Sequence, residues 1–271
     1  MSYPGIESFE CIYFNANKQK KIDTDVIVET PVSLTVNGYV WLEFMCTPVD
    51  LEAMAVGFLY NESVINRKEE IASVRLCPAG DIIDVWINHK VEPPKIWKRT
   101  SGCTGSVSAA EFKPLASRIS DGFITTPEQI EKIITMLFEI QDLYRVSGGV
   151  HTSALSDGKE IIIKSEDIGR HNTLDKIAGR CLLEGIHLPQ KFLLTTGRIS
   201  SEMLQKSSRL GVVIVISRTS PTSLSVKMAN KMGITLVGYA RRNSFSIYAH
   251  PETINFDIER QNLPVKKPNI D

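Results

Sequence analysis

Three groups of residues in this sequence have types and spacings suited to chemistry: a thiol in a polar loop, arginines beside small hydroxyl residues, and a histidine among charges. The five cysteines, Cys11, Cys46, Cys77, Cys103 and Cys181, are odd in number and widely spaced, so they suggest neither a disulfide framework nor paired zinc ligands. Cys103 stands apart from the rest. It lies in Arg99-Thr100-Ser101-Gly102-Cys103-Thr104-Gly105-Ser106-Val107-Ser108, a run too small and polar to build a core, which reads as a loop. The thiolate is the nucleophile in sulfur chemistry, and neighbouring Lys98 and Arg99 favour that form. Persulfide transfer is close to thiol–disulfide exchange, and one thiol suffices to carry a sulfur. Cys46 closes a strand and Cys181 lies inside a helix, where Cys behaves as a small apolar residue, and Cys11 and Cys77 have equally plain readings.

The second group is a pair of similar loops, Thr195-Thr196-Gly197-Arg198-Ile199-Ser200 and Ser217-Arg218-Thr219-Ser220-Pro221-Thr222. Each joins hydroxyl residues and an arginine to a helix start, where free amides and the helix dipole attract an anion. Arg198 and Arg218 supply bidentate donors for phosphate, with Ser200 and Thr222 beside them, and Ala240-Arg241-Arg242 adds charge nearby. Neither loop has the GxGxxG or P-loop pattern, so a phosphate-bearing ligand is expected but no standard dinucleotide or Mg-ATP site. The third group is Glu166-Asp167-Ile168-Gly169-Arg170-His171-Asn172-Thr173-Leu174-Asp175-Lys176 at a helix start. His171 titrates near neutrality and is a base, a phosphate donor or a structural contact. Gly148-Gly149-Val150-His151 pairs a histidine with glycines that allow close backbone approach. No zinc is expected: the H-x-E and P-C-x-x-C signature of the deaminases is absent, and His151 is followed by Thr152-Ser153.

These groups need elements to hold them. Thr30–Val36 and Tyr39–Cys46 are β-rich runs joined by Asn37-Gly38, which takes the positive φ angles of a tight hairpin. Thr47-Pro48-Val49-Asp50-Leu51-Glu52 predicts a helix capped by Thr47 with Pro48 at its first position. A second hairpin is predicted over 71–77 and 82–89. Thr126-Pro127-Glu128-Gln129 is a capping box that opens a helix to about residue 144. A hairpin over 150–155 and 160–164 follows, and then strand and helix alternate. The strands are 192–195, 212–217 and 234–238; one helix covers 200–210, stopped by Gly211, and another runs from Ser220-Pro221 to Gly233. This βαβαβ order implies a parallel sheet, with ligands beyond the carboxyl ends of its strands, where both hydroxyl–arginine loops fall. The expected architecture is α/β, with a mixed α+β domain over 1–122 that carries the Cys103 loop and an α/β domain over 123–271.

Composition narrows the field. With 271 residues, 42% of them hydrophobic, the chain can build a sizeable core. Lys plus Arg and Asp plus Glu both number 31, which argues against a nucleic-acid surface. No apolar stretch is long enough to span a bilayer, and the N-terminus has no basic start followed by an apolar run. A cytoplasmic, reducing setting is expected, in which a free thiol persists.

Several motifs together resemble one family, the formate dehydrogenase accessory sulfurtransferases, often called FdhD. Met45-Cys46-Thr47-Pro48-Val49-Asp50-Leu51-Glu52 resembles its M-C-T-P-x-D-L-E helix start. Gly148-Gly149-Val150-His151 and the run from Glu166 to Lys176 look like G-G-x-H and E-D-I-G-R-H-N-x-x-D-K. Thr195-Thr196-Gly197-Arg198-Ile199-Ser200-Ser201-Glu202-Met203 matches T-T-G-R-x-S-x-E-M. Pro221-Thr222 and Phe245-Ser246-Ile247-Tyr248 fall where the family has A-P-T and F-N-x-Y.

The resemblance implies a sulfur carrier, a transferase that takes sulfur from a cysteine desulfurase as a persulfide on Cys103. It would pass this sulfur to the bis-molybdopterin guanine dinucleotide molybdenum cofactor of formate dehydrogenase. It also implies a homodimer and a C-terminal domain similar to the cytidine deaminase fold without its zinc. The cofactor's guanine nucleotide and pyrophosphate ends would suit the anion-seeking loops and His171. A further cofactor stretch maps onto Phe245, Ser246, Ile247, Tyr248, Ala249 and His250. There are departures: the family's loop reads C-x-x-C where Ser106 here takes the second position, Arg218-Thr219-Ser220 replaces a Ser-Ala pairing, and Ser246 replaces Asn. A cofactor-binding chaperone without sulfur transfer is the alternative, and a nucleotide-binding enzyme of other chemistry a third reading.

Overall fold

The computed structural model describes residues 4–93, 98–99, 107–108, 122–188 and 190–256. The chain opens with a two-stranded ribbon of β1 (Ile6–Asn15) and β2 (Lys18–Ile27), turned at Ala16 and Asn17, both at positive φ. Next comes the expected hairpin of β3 (Thr30–Val36) and β4 (Tyr39–Cys46), with Asn37 at φ 50 and Gly38 at φ 82. Helix α1 (Leu51–Asn61) leads to β5 (Ile71–Leu76) and β6 (Ile82–Ile87). A four-stranded sheet forms in the order β4-β3-β6-β5, with β3 and β6 parallel. Alternation along β3 and β6 turns Val32, Leu34, Val36, Ile83, Val85 and Ile87 inward, onto Met54, Phe58 and Leu59 of α1. Short strands β7 (Lys98–Arg99) and β8 (Val107–Ser108) pair antiparallel on either side of Cys103, which itself lies outside the described residues.

The second half holds α2 (Pro127–Glu139), α3 (Asp142–Ser147), β9 (His151–Ser156), β10 (Ile161–Asp167) and α4 (Arg170–Glu184). It continues with β11 (Lys191–Thr195), α5 (Ser201–Arg209), β12 (Val212–Ser217), α6 (Ser223–Met232), β13 (Thr235–Arg241) and β14 (Ser244–Ala249). Six strands form one sheet in the order β10-β9-β11-β12-β13-β14. The β11-α5-β12-α6-β13 run is parallel as expected, and the flanking strands are antiparallel. One face packs on α4, α5 and α6 through Leu174, Ile177, Met203, Leu204 and Ala229. The other packs on α2 through Ile130, Ile133, Ile134 and Leu137. No helix among the described residues is long and apolar enough to cross a membrane.

Helix α4 lies at the centre of these layers, and residues 169–179 are buried without a break. It packs on the six-stranded sheet on one side and on α1 on the other. Gly57 of α1 and Gly179 of α4 allow that contact: a Cβ on Gly57 would overlap the Asp175 carbonyl, and one on Gly179 the Ala53 carbonyl. The backbones themselves touch here, so no side chain fits between them.

Three boundaries differ from the sequence expectation. Thr47 does not cap α1, which begins at Leu51 behind Asp50 in the left-handed conformation (φ 52), because Thr47 is bonded elsewhere. The helix expected to run from Pro127 to about residue 144 breaks after Glu139. Thr126 caps it by accepting from the Gln129 amide, but the Gln129 side chain reaches the Gly158 carbonyl instead of returning to the cap. Helix α6 starts one step later than Ser220-Pro221, with Thr222 as its cap and Ser225 completing the capping box.

Adding a methyl group at the α1–α4 crossing tests its closeness. Gly179→Ala is expected to destabilise the protein by about 3 kcal/mol, the upper end for overpacking, because carbonyl atoms cannot rotate away. Chemical denaturation checks this, and a change under about 0.5 kcal/mol would refute the packing described.

Candidate functional site

The motif from Glu166 to Lys176 is mainly a device for joining elements. Asp167 and Lys176 are both fully buried and pair at 2.6 Å. Such a pair is stable only when the remaining polar atoms are also bonded. Asp167 Oδ2 accepts from the Thr47 amide at 3.1 Å, and Oδ1 accepts from the Gly169 amide at 2.7 Å and Asn172 Nδ2 at 2.8 Å. Lys176 Nζ donates to the Thr47 carbonyl at 3.0 Å, and Asn172 Nδ2 also donates to the Met45 carbonyl at 2.9 Å. The β4–α1 connection is thereby tied to the turn between β10 and α4. One turn along, Asp175 accepts from Lys206 of α5 at 2.5 Å and from Asn61 of α1 at 2.7 Å. Glu166 accepts from the Asp142, Leu143 and Tyr144 amides, capping α3 from outside and explaining the helix break. Arg170 and His171 follow at the start of α4, where the stem of Arg170 packs against Gly197.

That helix start faces the carboxyl edge of the parallel strands, where hydroxyls end otherwise apolar runs. Ser153, Thr173 and Thr195 share hydrogen bonds of 2.7 and 3.0 Å. Thr195 Oγ1 accepts from the Gly197 amide, and Ser217 Oγ donates to the Gly197 carbonyl. The two hydroxyl–arginine loops are stitched together: the Ile199 amide donates to the Ser220 carbonyl, and the Thr222 amide to the Ile199 carbonyl. Ser200 and Thr222 each accept from the third amide of their helices, at 3.3 and 3.2 Å. The first two amides of α5 and of α6 stand outside the helices' own bonding, as at any helix N-terminus. Gly197 packs against the stem of Arg170, Arg198 is exposed, and the Arg218 guanidinium lies 5.7 Å from the Phe138 ring centroid. Arg241 Nη1 donates to the Arg218 carbonyl. Tyr248 borders the same loop: a Cβ at Gly238 would approach Tyr248, Pro221 and the Thr219 carbonyl, so the glycine leaves the tyrosine its place. The result is an edge that brings Arg198, Arg218 and two helix N-termini together, suited to a phosphate or pyrophosphate.

A family model described as the FdhD/NarQ family matches residues 27–255. The chain belongs to this family. It is 36% identical over 234 residues to "Sulfur carrier protein FdhD" of Staphylococcus aureus (strain MRSA252), a match covering 84% of this chain and 88% of that protein. The protein of the same name from Staphylococcus haemolyticus (strain JCSC1435) is 35% identical, covering 84% of this chain and 89% of the relative. A solved structure of a candidate formate dehydrogenase accessory protein from Desulfotalea psychrophila superposes with a TM-score of 0.78 at 32% identity. It covers 93% of this chain and 100% of that one.

In this FdhD/NarQ member, the residues expected at the site fall into two groups. Arg198, Ser200, Arg218 and Thr222 sit on the adjoining loops, with Phe245 and Ser246 at the near end of β14, where Ser246 pairs with Gly238. Strand β14 then runs the width of the sheet. Ile247 is half-buried, Ala249 enters the core, and His250 reaches the opposite edge, bonded to Glu252 and to the Asn230 carbonyl. His171 is 2% exposed beneath the start of α5, with Nε2 at 3.4 Å from Ser200 Oγ and 3.2 Å from Glu202 Oε2. Burial holds it below its ordinary pKa, opposed by the Glu202 contact, while the His171 contact holds Glu202 low in turn. His151 is lowered chiefly by burial and next by Arg170. Neutral His171 therefore positions the α5 start that carries Ser200. Two cysteines are closed to sulfur chemistry: burial, with Asp167 adding to it, pushes the Cys46 thiol up to about 12, and burial raises Cys181. Cys77 donates to the Asp81 carboxylate at 2.9 Å within a tight turn. Glu202 and the buried hydroxyl layer escaped the sequence reading; the available signal was a Thr or Ser ending each apolar strand.

The depressed His171 makes stability depend on pH in a defined direction. In the unfolded chain it binds a proton below about its ordinary 6.5 and in the folded chain only lower, so acidification favours unfolding. Urea midpoints are expected to fall between about pH 7.5 and pH 5.5, and to fall less in His171→Gln. An equal fall in both proteins would contradict the buried, neutral imidazole.

Proposed function

We propose that this chain is a sulfur carrier for formate dehydrogenase maturation, accepting sulfur on Cys103 and delivering it to a cofactor held at the carboxyl edge of the large sheet. The observation that carries this reading is likeness over 84% of the chain to proteins named sulfur carriers, joined to an edge built for a phosphorylated ligand. The neighbour titled as a formate dehydrogenase accessory protein supports the choice of client enzyme. Cys46 and Cys181 are buried and raised and Cys77 is bound within its turn, which leaves Cys11, half-buried on β1, and Cys103, which stands at the first cysteine position of the family's C-x-x-C loop and is preferred for that reason.

In the proposed reaction, the Cys103 thiolate attacks the terminal sulfur of a cysteine desulfurase persulfide. The donor's S–S bond breaks, the donor cysteine leaves as thiolate, and the sulfur stays on Cys103 as a persulfide. In the second step the terminal sulfur moves to the molybdenum of the substrate, the bis-molybdopterin guanine dinucleotide cofactor. The reduced metal supplies the two electrons that turn it into a sulfide ligand, and Cys103 leaves as thiolate. The protein would thus act as a sulfurtransferase. The two helix N-termini with Arg198 and Arg218 would hold the guanine nucleotide's phosphates. The reading includes a cytoplasmic setting and self-association of two copies.

Intact-mass spectrometry after incubation with a cysteine desulfurase and cysteine tests the proposal. Wild type is expected to gain one sulfur, reversible by reductant, and Cys103→Ala none. No gain on wild type with GDP binding intact would leave a cofactor chaperone, and a gain kept by Cys103→Ala would move the carrier to another thiol.

A further inference from the structure

A pocket of about 240 Å³ lies at the far end of the large sheet from the hydroxyl–arginine loops. Lys191, which opens β11, and Leu210, which ends α5, line it together with Gly185 at the close of α4. The first half of the chain supplies the remaining wall through Tyr60 and the 66–69 stretch. An engineered apolar cavity of about 150 Å³ takes benzene, so this volume has room for a ring and a short chain. Its walls are fixed before any ligand arrives. The Arg209 guanidinium lies 4.7 Å from the Tyr60 ring centroid and donates to the Tyr60 and Ile65 carbonyls. Lys68 donates to the Leu183 carbonyl, tying the 66–69 stretch to the end of α4.

The lining divides by chemistry. Ala178, Leu182, Ile186 and Leu210 give an apolar surface, and Lys191 stands beside them, half-buried. Its ammonium donates to the Leu210 carbonyl at 2.7 Å, and no carboxylate among the described residues pairs with it. Burial holds it below the ordinary lysine pKa, so the charged form is partly desolvated and gains from an anion. The carbonyls at the end of α4 would oppose an anion, but the Gly185 and Ile186 amides both donate to that of Cys181, and Lys68 takes that of Leu183. We propose that this pocket binds a small amphipathic monocarboxylate, its apolar part on Leu182, Ile186 and Leu210 and its carboxylate on the Lys191 ammonium. One ammonium against an apolar wall suits a single negative charge joined to hydrocarbon, in contrast to the paired arginines of the other edge.

Calorimetric titration with 3-phenylpropanoate, and with 3-phenylpropan-1-ol and 3-phenylpropylamine as its neutral and cationic counterparts, tests the proposal. Wild type is expected to bind the acid about tenfold or more tightly than the alcohol, and the amine least of all. Lys191→Met keeps the stem and is expected to weaken the acid by about tenfold while leaving the alcohol unchanged, which also reports an intact pocket, and Lys191→Arg to restore the acid. Cys181 is 8% exposed in the pocket wall, so bound acid is expected to slow its modification by methyl methanethiosulfonate while Cys11 on β1 reacts as before. No binding of the acid, equal binding of acid and alcohol, an acid affinity untouched in Lys191→Met, or unprotected Cys181 would each overturn the site. None of these outcomes bears on sulfur transfer, which uses the opposite edge.

Discussion

Asp167 and Lys176, a carboxylate and an ammonium with no solvent contact, hold the junction on which the other layers depend. Desolvating each charge costs several kcal/mol, which their mutual attraction offsets only if the remaining bonds form. Those bonds come from Thr47, Gly169 and Asn172, in parts of the chain separated by 120 residues or more as well as in the local turn. The pair is satisfied only when the β4–α1 connection, the end of β10 and the start of α4 are docked together. An apolar pair of the same size could match its stability but would accept several registers of α1 on α4. The Gly57–Gly179 contact, where the backbones touch, accepts one. The ion pair's bonds are complete in the same arrangement, so the pair and the glycine contact agree on one docking of α1, β10 and α4.

The functional edge inherits this rigidity. Arg170 and His171 begin the same helix, so the groups that fix α4 also fix them, and His171 passes the constraint to Ser200 and Glu202 of α5. The two anion-seeking loops are joined to each other by backbone bonds at Ile199 and are fastened beneath by Thr195 and Ser217. Their helix amides are thus held in place before any ligand arrives, which lowers the ordering cost of binding. Under the proposed function, this arrangement would hold the acceptor still while another part of the chain brings the sulfur.

Much of this order was visible in the sequence. Asn37-Gly38 admitted one kind of turn, and the unbroken apolar run of β12 could only be a strand covered on both faces. The arginine loops were found because alternating strand and helix puts such connections at one edge. What stayed hidden depended on distant partners. Thr47 had the local pattern of a helix cap, but a buried carboxylate 120 residues away outcompeted it. The helix expected to reach residue 144 broke because Glu166, from another strand, took the amides of its last turn. The crowd of charges after Glu166 looked like a reactive centre, since spacing does not reveal pairing; bonded to one another and to Thr47, Asn61 and Lys206, most of them are structural.

The central claim is that the sheet edge and the Cys103 thiol are two halves of one sulfur route. Single-turnover delivery tests it most directly. Protein loaded with radiolabelled sulfur by a desulfurase is mixed with cofactor-bearing formate dehydrogenase, and label on the enzyme's cofactor is counted. The account predicts that wild type delivers its label, while the Arg198→Ala, Arg218→Ala double variant loads as well as wild type but delivers little. Equal delivery by both proteins would contradict it.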